Sequence, residues 1–484
     1  MRWTRMVVTT TLALAAVITS SGRSDAGDVL DRLFRKRPKE ATSHPAARSS
    51  NPTAPALGGQ PPVPANVVIP PVTQVQYEAE IVARPPSAQS GSETPTIGVL
   101  TLGEALRIAE ARQPQLVASA AAVDAAAGRY RQARTYPNPN ADVRGETLIE
   151  TQIVAGVSQP IIIGQRRQRA MEAGARDIEA REREFQALRA RVFFEVKQSF
   201  HDVVALQQLL ALAREQERNA STLVDKMQAR FKEGDVAERD VLRAQVDQSN
   251  VRILAENLER GLTEARKTLA TRMGVATTSI ARCEGELKLP ARFDSEEELT
   301  AQLLSGQPEL QAALAEVRFR SALTAQACAE RVPDATLTVL YRRLTETDQN
   351  TADVGIVLPL PLFDRRQGRI AETAADANRA QARYAATEND LVGQLRRAYE
   401  SLLTYYRQVE AYQTNILPKT DRSLELVRTA YEGGEVSILD LLDAQRQSNA
   451  SHAAYLDVLS KLMQKWLEVE YLVQSQPAQP PSVR

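Results

Sequence analysis

Residues 165–232 contain no proline and a single glycine, Gly174, across 68 positions. Such a span without breakers predicts one helix roughly 100 Å long, at about 1.5 Å rise per residue. Ordinary globular helices are about a quarter of that length or less, so no compact core can contain this one. Its apolar positions Phe185, Leu188, Val192, Val196, Phe200, Val203, Leu206 and Leu210 step by three and four residues. That spacing is a coiled-coil seam, and a seam requires a partner helix.

The chain carries the same pattern twice. "EGDVAERDVLRAQ" at 233–245 returns two hundred positions later inside "EGGEVSILDLLDAQ" at 432–445, with Gly234/Gly434, Val236/Val436, Asp240/Asp440, Leu242/Leu442, Ala244/Ala444 and Gln245/Gln445 identical. Upstream, Gln113-Pro114-Gln115-Leu116 matches Gln307-Pro308-Glu309-Leu310, and Arg166-Arg167-Gln168 matches Arg365-Arg366-Gln367. One unit reads helix, strand, strand, very long helix, turn, helix. The units predicted are 99–285 and 286–473, followed by a tail at 474–484.

Between the helices, 141–149 and 335–342 alternate. Ala141, Val143, Gly145, Thr147 and Ile149 interleave with Asp142, Arg144, Glu146 and Leu148, and Ala335, Leu337, Val339 and Tyr341 with Thr336, Thr338, Leu340 and Arg342. One face is apolar and the other largely polar, the pattern of a half-buried sheet or of a membrane barrel with a wet lumen. Four strands cannot close a barrel, for which about eight is the practical minimum. Open edges then require oligomerisation.

Helix lengths predict how the rod is filled. The pair 236–273 and 298–331, placed end to end, matches 165–232, and the pair 436–473 and 101–134 matches 366–432. The segment 274–297 and the tail would form a belt at the junction.

The N-terminus reads as an export signal over 1–26: Arg2 and Arg5 precede an apolar run from Met6 to Ile18, too short to span a bilayer. Residues 27–98 are rich in Pro, Ala and Ser and read as a linker. Lys+Arg and Asp+Glu balance at 60 each, so no basic footprint points to nucleic acid. The three histidines form no metal-ligand spacing, and no phosphate loop, nucleophile elbow or zinc signature occurs, so neither an enzyme nor a resident cofactor or metal is expected. Cys283 and Cys328 are expected to be separate small apolar residues rather than a disulfide, being tens of ångströms apart along the predicted helices.

The export signal, the duplicated unit and the turn G-x-V-x-x-x-D-x-L-x-A-Q, together with "LTLGEAL", the paired "SQPI" and "LPLP", and "ILP…AYEGGEVSILDLLDAQ", resemble the TolC-like outer-membrane efflux proteins over about residues 100–473. The resemblance implies a mainly α fold with a small β part: a homotrimer whose twelve strands form an outer-membrane β-barrel and whose helices form a periplasmic α-barrel. It implies a passive exit duct in outer-membrane lipid, docked to a periplasmic adaptor and an inner-membrane pump of a tripartite efflux or type I secretion system. A non-pore periplasmic coiled-coil adaptor or envelope scaffold explains the long helices but not the alternating hairpins.

The resemblance also implies site residues. Asp440 and Asp443 match aspartates ringing a closed periplasmic mouth, and Tyr431 matches a tyrosine bonded to an aspartate at the position of Asp240. Where a second latch arginine would stand, this chain has Val436. Asp240 and Asp440 equally suit the start of a helix, where an acid favours the dipole and Ser437-x-x-Asp440 has capping-box spacing. Asp443 lies a turn later, and Arg243 holds its place in the first repeat. The tips Gly234, Asp235, Val236 and Gly434, Glu435, Val436 are expected to dock the adaptor. Pro418, opposite Arg218, is expected to kink the second long helix as a hinge.

Overall fold

The computed structural model describes residues 96–147, 151–285, 294–344, 347 and 349–473. The export signal, the linker up to residue 95 and the tail at 474–484 lie outside them. In chain order the elements are β1 (Thr96–Thr101), α1 (Leu102–Arg112), α2 (Pro114–Arg134), β2 (Asn140–Thr147), β3 (Thr151–Ile161), α3 (Arg166–Glu233), α4 (Glu238–Arg272) and β4 (Ser279–Glu284). The second repeat follows with α5 (Glu296–Gly306), α6 (Pro308–Ala329), β5 (Ala335–Leu344), β6 (Gln349–Val357) and α7 (Gln367–Ala411). A π-helical turn over Tyr412–Ile416 leads into α8 (Leu417–Glu432), and α9 (Ile438–Val473) completes it.

Helix α3 is continuous over 68 residues. Ion pairs such as Arg169–Glu172 and Arg214–Glu217 line its polar side at i,i+3 spacing. All eight predicted seam residues enter one core: Val192, Val196, Phe200 and Val203 are buried, while Phe185, Leu188, Leu206 and Leu210 pack half-buried around them. The second repeat rebuilds this core with Leu391, Leu395 and Leu402 from α7 and Leu462 and Val469 from α9.

Two expectations are corrected. The segments 101–134 and 298–331 are each two helices, broken at Gln113 (ψ 115°) and Gln307 (ψ 120°). A following proline disfavours helical backbone at these glutamines and then starts the next helix at its first position. The end-to-end partners also lie within each repeat rather than across repeats. The Gln113 amide donates to the Arg272 carbonyl at 2.9 Å, and Gln307 to the Tyr471 carbonyl at 3.4 Å. Because the two repeats have helices of equal length, length alone fits either pairing.

The belt contains a feature with no clear periodicity: β1 and β4 pair in parallel, with Leu100 opposite Cys283. β1 begins within the stretch read as linker. Both cysteines are free, Cys283 buried and Cys328 exposed. Burial pushes the Cys283 thiol up to about 11, with Arg266 opposing. A thiol reagent at about pH 8 should therefore modify Cys328 alone in the folded protein and both cysteines after denaturation, because the thiolate is the reactive form. Rapid native labelling of Cys283 would contradict this packing.

The strands form one antiparallel sheet in the order β2-β3-β5-β6. Its register aligns Ala141, Val157, Val339 and Val354 across the four strands. Val143, Val157, Val354 and Ile356 on this face are exposed. The opposite face carries the pairs Asp142–Arg144 (3.2 Å) and Arg342–Asp353 (3.3 Å). The apolar face is thus left open rather than packed into a core, as a barrel wall in lipid requires, while the opposite face carries the charges. Among the described residues no helix is long and apolar enough to cross a membrane.

Candidate functional site

The turns after α3 and α8 are the same motif. Asp235 N–H donates to the Arg230 carbonyl (2.9 Å) and Gly234 N–H to that of Phe231 (3.0 Å); Glu435 N–H donates to Ala430 (2.9 Å) and Gly434 N–H to Tyr431 (3.1 Å). This bond pair satisfies carbonyls left open at a helix end and needs a left-handed residue. Gly234 has φ 84° and Gly434 φ 77°. A Cβ at either would meet nothing within 4 Å, so backbone conformation rather than crowding calls for glycine. Gly234, Asp235, Gly434 and Glu435 are exposed, while Val236 and Val436 are half-buried.

The two tips are held side by side by an apolar cluster. Met227, Val241 and Ala244 of the first hairpin are buried against Ile438, Leu441 and Leu442 of the second, with Tyr431 at the margin. The Tyr431 hydroxyl accepts from Arg230 Nη1 (3.3 Å) and donates to Met227 Sδ (3.5 Å), and the Arg230 guanidinium lies over its ring at 5.8 Å. Burial pushes this hydroxyl's pKa up, with Arg230 opposing, so it remains a donor at neutral pH.

The expected Tyr431–Asp240 bond is therefore not the one formed. Asp240, with its side chain 17% exposed, faces Arg239 (3.7 Å) and Arg243 (3.6 Å) on its own helix. Its charge is compensated locally, and Arg230 offers the tyrosine a charged donor. Tyr431→Phe should cost the tip about 1 kcal/mol, the typical net worth of one hydrogen bond. A double-mutant cycle should couple Tyr431 to Arg230 and not to Asp240; coupling to Asp240 alone would overturn this assignment.

The carboxylates at 440 and 443 have different surroundings. Asp440 Oδ2 accepts from Ser437 N–H (2.9 Å) and Ser437 Oγ (2.6 Å), and Asp440 N–H donates back to Ser437 Oγ (3.4 Å). This is a capping box, and its bonds hold the Asp440 carboxyl below the usual range. Asp443 accepts instead from Arg446 Nη1 (3.2 Å), and the same guanidinium reaches Asp247 of α4 through Nε (2.9 Å). Sequence reasoning missed Arg446 and Asp247. Arg446 is visible as an i,i+3 partner of Asp443, but nothing local reveals Asp247.

Pro418 sits in the first turn of α8, directly after the π-helical turn, where Leu417 N–H bonds to the Tyr412 carbonyl five residues back. The turn absorbs one extra residue ahead of the proline, and none of its residues is buried. Gln413 ties it to α9 through Tyr455 Oη at 2.8 Å.

A duplicated hairpin rod with paired glycine tips at one end and an antiparallel sheet with one uncovered apolar face at the other is the architecture of an exit duct of the outer membrane. Residues 105–275 and 299–473 match the outer membrane efflux protein family, and the chain belongs to it. The cobalt-zinc-cadmium resistance protein CzcC of Cupriavidus metallidurans is 30% identical over 373 residues, covering 76% of this chain and 88% of that protein. The nickel-cobalt-cadmium resistance protein NccC of Alcaligenes xylosoxydans xylosoxydans is 26% identical over 305 residues, 60% of this chain and 67% of that one. A solved membrane protein from Pseudomonas aeruginosa shares the fold, with TM-score 0.68, 20% identity and coverage of 79% of this chain and 92% of that one. The chain is an outer-membrane efflux channel with a helical periplasmic extension, and the family consists of channels of tripartite pumps rather than enzymes. That membership sets aside the non-pore scaffold.

Proposed function

We propose that three copies of this chain form a passive duct that releases divalent transition-metal cations, delivered by an inner-membrane pump through a periplasmic adaptor. The observation that carries the cargo class is the 30% identity across most of a cobalt-zinc-cadmium resistance protein. The open edges of β2 and β6 support the assembly, because lipid leaves no solvent to satisfy an unpaired strand. Deleting the gene in its host bacterium should lower tolerance to cobalt, zinc and cadmium salts, and the wild-type chain should restore it. Unchanged metal tolerance alongside lost tolerance to organic drugs would overturn the cargo class.

Within this assembly, the tips Gly234, Asp235, Val236, Gly434, Glu435 and Val436 meet the adaptor. Asp440 and Asp443 of three chains converge on one axis as the resting gate, with Asp240 and Tyr431 bracing it. Pro418 and the π-helical turn ahead of it form the hinge of the second hairpin, since a wide turn with no buried residue can rearrange without opening a core. Asp440→Ala with Asp443→Ala should raise single-channel conductance and weaken block by multivalent cations. Unchanged block would reduce both residues to helix-start roles.

A further inference from the structure

Arg446 lies on α9 one turn after Asp443, and the first repeat has Val246 two hundred positions earlier. Its guanidinium contacts two carboxylates of unequal exposure. Asp247, on the first hairpin, is 14% exposed and takes the 2.9 Å contact from Nε. Asp443, on the second, is 63% exposed and takes the 3.2 Å contact from Nη1. The arginine is therefore anchored on the sheltered side, across the seam between hairpins, and turns a second nitrogen to the exposed acid. Its fork suits this task, because separate nitrogens reach separate carboxylates and the group stays charged at any working pH.

We propose that Arg446 is a tethered counter-cation of the mouth, held by Asp247, which offsets Asp443 so that the gate's carboxylates do not trap divalent cations on their way out. The inference rests on the reading of Asp440 and Asp443 as a ring. Six bare carboxylates around one axis form a strong cation site, whereas a conduit needs sites from which its cargo leaves readily. One arginine per chain stands beside one of each chain's two ring carboxylates, and the anchor keeps it from swinging away.

The test uses full-length protein in planar bilayers, with zinc ions and inert hexaamminecobalt(III) as blockers. Arg446→Gln should tighten block about tenfold, as expected for partly exposed, salt-screened charges. Arg446→Gln combined with Asp443→Asn should return block to within about twofold of wild type, because the uncompensated charge is gone. Arg446→Lys keeps the charge and should stay within about threefold, which also serves should the glutamine variant fail to assemble. Unchanged block in Arg446→Gln overturns the proposal, as does a double variant that blocks as tightly as Arg446→Gln. If Asp440→Ala with Asp443→Ala loosens block while Arg446→Gln is silent, only the counter-cation fails. If both are silent, the ring reading fails with it.

Discussion

Gly274→Ala should destabilise the protein by about 3 kcal/mol, through a left-handed backbone penalty combined with an overpacked site. Gly274 closes α4 at φ 76°, donating its N–H to the Thr271 carbonyl (3.0 Å), while Val275 N–H reaches that of Ala270 (2.9 Å). An added Cβ would lie 2.6 Å from the Arg112 carbonyl oxygen and 2.8 Å from Gln113 Cα. Those are backbone atoms at the break between α1 and α2, so no side chain can rotate aside. The same junction carries the Gln113–Arg272 bond and packs beside the core around Met273 and Leu269. Gly261→Ala is the control: that glycine lies within α4, and a Cβ there meets nothing within 4 Å. Alanine at 261 should be neutral or stabilising by up to about 1 kcal/mol, from helix propensity. The readout is the temperature at which the assembled protein dissociates in detergent. Equal dissociation temperatures for Gly274→Ala and wild type would show that the junction yields.

How much of this was legible beforehand follows from where the information resides. The α3 seam is a local periodicity, and all eight of its residues meet one core. The sheet alternation is also local, and the register places its apolar residues on one face. The Gln-Pro breaks are written in the sequence, but proline also suits the first position of a new helix, so the helical spacing of apolar residues resumes directly after each break and masks it. Equal repeats hide the end-to-end pairing, which the Gln113 and Gln307 side-chain bonds reveal. β1 and β4 are strands of six residues, each with the other as its ladder partner, and such a pair has no signature in either segment.

The residues proposed for the gate divide along the same line. Ser437 and Asp440 are three apart, so their capping box could be read directly. The partners of Tyr431, and the Asp247 partner of Arg446, lie on the other hairpin, about two hundred positions away in sequence, beyond any local pattern. The hairpins are joined at the tips by apolar contact plus a few charged bonds, and on the proposed gate reading this join is where the mouth loosens without unfolding the rod.

Replacing Gly234 and Gly434 together by valine should abolish efflux while leaving assembly intact. Each glycine holds a positive φ that a β-branched residue strongly resists, so both turns must rebuild. The damage stays local, because a side chain at either position points into open space and the apolar cluster begins only at Val236 and Met227. The two rebuilt tips would then present altered backbone, and displaced Asp235 and Glu435 carboxylates, to the adaptor. Asparagine at the same positions should be tolerated, since its short polar side chain accepts the left-handed conformation at a cost of about 1 kcal/mol or less. Valine therefore tests backbone shape, while asparagine tests whether the mere presence of a side chain matters. Site-specific crosslinking to the adaptor should fall with the valine pair and persist with the asparagine pair. Wild-type efflux and crosslinking in the valine pair would remove these turns from the docking surface.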